Sequence, residues 1–167
     1  MSGKDYKRNG RNCRISKLME HQLILPFKFS EPTSFDDIVL DASNAYAIKW
    51  LKNWPQNTKN TYSCIVGHQS LLLASIWGSV NQSRYLSNNS RLLEDWYMLM
   101  ENKYRNRCYI LVNPEIVNDE KLLLYVLNLI KERHFYLLLA SNSHPSAWKN
   151  RLPDLKSRLS TINIIKC

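Results

Sequence analysis

The stretch Tyr62-Ser-Cys-Ile-Val-Gly-His-Gln-Ser-Leu-Leu-Leu-Ala-Ser-Ile-Trp77 constrains the fold more than any other part of the chain. Residues 62–66 fit a buried strand, Gly67 breaks it, and an apolar run of helical length follows. A strand feeding a helix through so short a turn is a unit of an α/β domain. Such a turn holds phosphate when it reads Gly-x-x-x-x-Gly-Lys-Ser/Thr, because backbone N–H groups wrap the anion and Lys neutralises it. Here only His68, Gln69 and Ser70 follow Gly67, with no second Gly and no Lys. The scaffold of a nucleotide site is legible; its chemistry is missing.

The rest of the chain repeats the alternation. Helices are expected over 45–54, 91–103 and 119–133, and strands over 84–86, 108–112, 135–140 and 162–166. Ser43 or Asn44 is placed to cap the first helix, and Trp54-Pro55 to end it. Ser90 is placed to cap the second. Helix 119–133 opens with acids, closes with Lys131 and Arg133, and is apolar nearly all round, so it should be well buried. Residues 35–41 read as extended. Strands alternating with helices predict a parallel, three-layer α/β domain over residues 31–167.

Charge is concentrated at one end. Six Lys/Arg and one Asp in residues 1–18 supply +5 of the total +9. This segment reads as a basic, disordered arm that serves either solubility or weak, non-specific DNA contact. Met19 offers a second start that would remove it. In the following segment, 19–30, Gln22, Leu23, Leu25, Pro26 and Phe27 form an extended apolar peptide, because Pro26 disfavours helix at Leu25. Two readings stand: an edge strand of the domain, or a peptide that plugs into a partner's groove.

Several chemistries find no support. The four cysteines lack C-x-x-C spacing, and Cys64 and Cys108 fall in apolar strands, so a reducing, cytoplasmic setting is expected. No apolar run is long enough to cross a membrane, and no signal peptide is evident. The four histidines lack ligand spacing, so no metal is expected. In a phosphate-loop ATPase the strand at 108–112 should end in acids that hold Mg²⁺. It ends Asn113-Pro114-Glu115, and in an extended chain Glu115 would face away.

At two places the residues resemble a known family. The run 136–145, Tyr-Leu-Leu-Leu-Ala-Ser-Asn-Ser-His-Pro, followed by Leu152-Pro-Asp-Leu-Lys-Ser-Arg-Leu159, resembles the end of the AAA+ core of DnaA-type replication initiators, and most of all the smaller Hda-type regulators that inactivate DnaA. The peptide at 22–27 resembles the clamp-binding motif Gln-Leu-x-Leu-Pro-(Leu/Phe) of those regulators, and 71–77 the helix after the family's phosphate loop. The resemblance implies a five-stranded parallel AAA+ core. It implies that Gln22, Leu23, Leu25, Pro26 and Phe27 bind the DNA polymerase sliding clamp. Asn142 falls at the sensor 1 position, and Arg158 at the arginine finger that reaches a neighbouring subunit's ATP. Read without the family, Asn142 is a strand-end turn residue and Arg158 one of several surface basics beside Lys149, Arg151 and Lys156. The phosphate loop has lost its Lys, the acidic pair is replaced by Asn113-Pro114, and the sequence stops at Cys167, before the family's helical lid. The expectation is therefore a degenerate AAA+ core with no cofactor and no catalysis in cis, whose partners are the clamp and DnaA. The competing expectations are a weak ATPase or nucleotide-gated switch, and a clamp-binding remnant without regulatory activity.

Overall fold

A computed structural model describes residues 32–89, 91–101, 107–149 and 152–167. The arm, the peptide at 22–27 and Ser90 lie outside the described residues. Strands β1 (Tyr62–Val66), β2 (Arg84–Leu86), β3 (Cys108–Val112), β4 (Tyr136–Ser141) and β5 (Asn163–Lys166) form one sheet in the order β2-β3-β4-β1-β5. Every pairing is parallel.

Side chains alternate across the sheet, and both faces are covered. Ile65, Ile110, Leu138, Ala140 and Ile165 pack beneath α1 (Ala45–Lys52) and α2 (Ser70–Val80). Cys64, Tyr109, Leu111, Leu137 and Leu139 pack against α3 (Leu92–Met100), α4 (Glu120–Glu132) and α5 (Pro153–Ser160). This double cover explains why the strands read as continuous apolar runs. Among the described residues no helix is long and apolar enough to cross a membrane.

Three local expectations need correction. Residues 35–37 are a 3-10 turn, not extended: the Ser34 hydroxyl accepts the Asp36 N–H at 3.2 Å, and the Asp37 carboxylate accepts the Ser34 N–H at 3.0 Å. A capping pair three residues apart overrides the extended reading. Helix α1 is not capped by the side chain of Ser43 or Asn44. The Asp41 carboxylate instead accepts the N–H groups of Ser43 at 2.7 Å and Asn44 at 3.1 Å. Finally, α4 is not buried all round. Asp119 caps it by accepting the Leu122 N–H at 2.9 Å, one face fills the core, and Tyr125 is 54% exposed on the other.

The crossovers place any ligand site. Helix α2 leaves β1 for one face of the sheet, whereas α5 leaves β4 for the other. Adjacent strands whose connections diverge in this way leave a crevice at their C-terminal ends.

Candidate functional site

At the ends of β1 and β4 the turn after Gly67 is held by neighbouring segments of the chain. Gly67 has φ +139°. Its N–H donates to the Ser141 carbonyl at 3.1 Å, and its own carbonyl accepts the Ser70 N–H at 3.1 Å. From β5, the Cys167 N–H donates to the Val66 carbonyl at 2.9 Å. The Cys167 thiol donates to the same carbonyl at 3.6 Å, and the Gln69 N–H is directed at the sulfur. Burial raises the pKa of that thiol, and the Gln69 N–H opposes the rise. From the N-terminal side, Asn44, fully buried, donates Nδ2 to Gln69 Oε1 at 3.0 Å and to the Val39 carbonyl at 2.9 Å. Its Oδ1 accepts the Asp41 N–H at 3.0 Å. Three separate segments therefore hold the turn where a longer loop would wrap phosphate.

Gly67 is essential to this closure. A Cβ there would stand 1.7 Å from the Cys167 carbonyl oxygen, at a φ that side chains rarely adopt. Gly67→Ala is expected to destabilise the domain by about 3 kcal/mol or more, because the end of β5 has to move and the backbone is strained. Urea unfolding measures this; a change below about 1 kcal/mol would show that β5 does not hold the turn.

The third edge is the end of β3. Asn113 takes a left-handed conformation, φ +48°, and donates its N–H to the Ala140 carbonyl at 2.8 Å. A 3-10 turn, Pro114–Ile116, follows. The strand-parity argument that turned Glu115 away therefore does not apply. One Glu115 carboxylate oxygen is out of contact with solvent and has no hydrogen-bond partner among the described residues, and its charge acts on Cys64 in β1. Burial chiefly, helped by Glu115 and Cys167, pushes the Cys64 thiol up to about 12. Burial likewise pushes Cys108 up to about 11. Both remain protonated thiols near neutral pH, as expected of apolar strand positions. Asn142 is exposed at the mouth of the crevice. The buried polar side chain at this strand end is its neighbour Ser141, whose Oγ accepts the Ser143 N–H at 3.1 Å. Sequence reasoning missed Ser141, although β4 simply continues one residue beyond Ala140.

Arg158 lies elsewhere. Leu155 and Leu159 bury one side of α5, Leu152 packs partly against the same cluster, and the Leu152 N–H donates to Glu120 Oε2 at 2.9 Å. Arg158 is half-buried beside that apolar side. Its charge reaches the Tyr62 phenol, which donates to the Leu127 carbonyl at 2.6 Å. Burial raises the Tyr62 pKa, and Arg158 opposes the rise. Tyr62 begins β1 and Gly67 follows its end, so the Arg158 charge lies toward the end of the strands opposite the crevice. The fold does not bring Arg158 and the crevice together within one chain. Among the described residues no cluster of three or more His, Cys, Asp or Glu is arranged to hold a metal.

Sheet order and helix layers together define a three-layer, all-parallel α/β domain with a crevice at the ends of β1 and β4. No protein-family model matches the chain, and no curated protein matches it by sequence. Solved structures do match by shape. Domain III of the Thermotoga maritima replication initiation protein DnaA aligns with TM-score 0.60 at 15% identity, covering 79% of this chain and 65% of that one. AMPPCP-bound DnaA from Aquifex aeolicus aligns with TM-score 0.61 at 12% identity, over 81% of this chain and 50% of that one. A RuvB variant from Thermotoga maritima aligns with TM-score 0.50 at 14% identity, over 81% and 48%. The chain thus spans from about half to just under two thirds of the structures it is similar to, and the likeness is one of fold.

Proposed function

We propose that this chain is a non-catalytic, Hda-like regulator of chromosomal replication initiation. It docks on the DNA polymerase sliding clamp through Gln22, Leu23, Leu25, Pro26 and Phe27, and acts on DnaA. The observation that carries the reading is the separation of two groups. The turn that would serve ATP in cis is held by Cys167, Asn44 and Ser141. Arg158, the group that would serve ATP in trans, is carried toward the opposite end of the strands on a helix packed by Leu155 and Leu159. An arginine suits that task because its planar, permanently charged fork holds phosphate oxygens. Asn142, exposed at the crevice mouth, has no ATP to sense in this reading.

This function requires no bound nucleotide. Calorimetry with Mg-ATP and with ADP is expected to give no saturable heat at ligand concentrations of about 1 mM, corresponding to binding weaker than about 4 kcal/mol. Micromolar binding, or nucleotide retained through purification, would favour a second reading. That reading has its own observation, the buried carboxylate oxygen of Glu115, which has no partner among the described residues and whose charge acts on Cys64 of β1. A buried carboxylate without a partner is costly and invites a cation. In a weak ATPase or nucleotide-gated switch, Glu115 would face Mg²⁺. Glu115→Gln separates the two: it abolishes nucleotide heat in the switch and changes nothing in the regulator.

A further inference from the structure

Lys121, Tyr125, Asn128 and Glu132 follow one another along α4 at spacings of four, three and four, which keeps them on one stripe of the helix. All four line a groove between α3 and α4. At its wide end Lys121 and Tyr125 stand with Leu93, Trp96 and Ile116 around a space of about 830 Å³. At its narrow end Asn128 and Glu132 stand with Met100. Leu93 is 45% exposed, Met100 43%, Ile116 56% and Tyr125 54%. Large apolar side chains gathered at this exposure mark an interaction surface rather than scattered surface apolars. Helix α3 makes the same point. Its only charged residues are Glu94 and Asp95, and the Asp95 carboxylate accepts the Ser87 N–H at 2.6 Å. A helix apolar nearly all round is one that is covered on more than its inner side.

We propose that this face pairs with the same face of a second copy of the chain about a two-fold axis. The order of residues on α4 is what points to a copy. Read in reverse, the row has the same spacing, and its two ends carry opposite charge. Two α4 helices laid antiparallel therefore set each Lys121 against the partner's Glu132, and each Tyr125 against the partner's Asn128. Among the described residues neither Lys121 nor Glu132 forms an ion pair, so both charges are free for this use. Asn128 is half-buried, and its Oδ1 has no hydrogen-bond partner among the described residues. Turned outward, that amide meets the partner's Tyr125 hydroxyl. Leu93 and Ile116 at the wide end of one groove meet Met100 at the narrow end of the other. A face that complements itself in this way closes as an isologous dimer, whereas a face of one charge repels its own copy.

The size of the surface sets the strength. Two helices side by side, each about 10 Å across and roughly 20 Å long, offer a footprint on the order of 400 Å² per copy. That lies at the small end for specific association, so the dissociation constant is expected to be on the order of 10 µM. The test is sedimentation of the full chain between about 1 and about 300 µM, a range that brackets such a constant. The parent is expected to pass from monomer to dimer across it. Lys121→Glu and Glu132→Lys are each expected to weaken the dimer tenfold or more, because each sets like charges together at two symmetric places. The double variant, Lys121→Glu with Glu132→Lys, is expected to recover most of the parent's affinity, which local damage to α4 would not allow. Tyr125→Asp is expected to weaken the dimer by thirtyfold or so. Lys121, Tyr125 and Glu132 are all exposed, so the fold is expected to persist in every variant. A parent that stays monomeric throughout overturns the proposal and leaves the face to a different partner. A dimer indifferent to Tyr125→Asp, or a double variant as weak as the two single ones, overturns it equally.

Discussion

ATP bound to DnaA, with the clamp loaded on DNA beside it, is expected to be hydrolysed on the order of 10³-fold faster when this chain is added. Arg158→Ala is expected to remove that acceleration. A finger arginine has so large an effect because it stabilises charge that develops only in the transition state. Leu155 and Leu159 anchor α5, Glu120 holds its start through the Leu152 N–H, and Arg158 is half-buried toward the end of the strands opposite the chain's own crevice. The substitution removes a half-buried side chain and leaves the two core leucines in place, so the fold is expected to persist. Acceleration that survives Arg158→Ala removes this residue from the mechanism. No acceleration by either protein, with clamp binding intact, leaves a clamp-binding remnant as the better description.

The second large effect concerns the clamp. Leu25→Ala together with Phe27→Ala is expected to weaken clamp binding on the order of 10²-fold or more. Buried anchors cost about 2 kcal/mol or more each when truncated, roughly thirtyfold apiece. Gln22→Ala should cost less, since it removes hydrogen bonds that fix register rather than buried apolar area. Fluorescence titration of labelled clamp measures both. Equal affinity of the double variant and the parent would make residues 22–27 an ordinary apolar segment of the chain.

The framework of the fold was legible because its signals are local. Strands 62–66 and 108–112 are largely apolar runs that stop at Gly67 and Asn113, where the pattern changes. Helix α4 carried its own start signal in Asp119. The crevice was legible only in part. The missing Lys and second Gly could be read directly, but the closure could not, because Cys167 meets Gly67 across a hundred residues of chain and Asn44 meets Gln69 across the α1 connection. Glu115 was misread because strand parity was carried through Asn113, a residue type that readily takes the left-handed conformation and resets the direction of the chain. The groove escaped notice for a similar reason. The leucines of α4 read as burial on every side, whereas Tyr125 of α4 and Leu93 of α3 line a trough that only the packed pair of helices reveals.

Clamp docking and regulation are expected to proceed without any nucleotide in this chain. Calorimetric titration of the full chain into purified sliding clamp, with and without Mg-ATP, tests it directly. Binding of the same affinity in both conditions, lost when residues 22–27 are replaced by Gly and Ser, is the predicted result. Binding that requires Mg-ATP, or no binding in either condition, would contradict it.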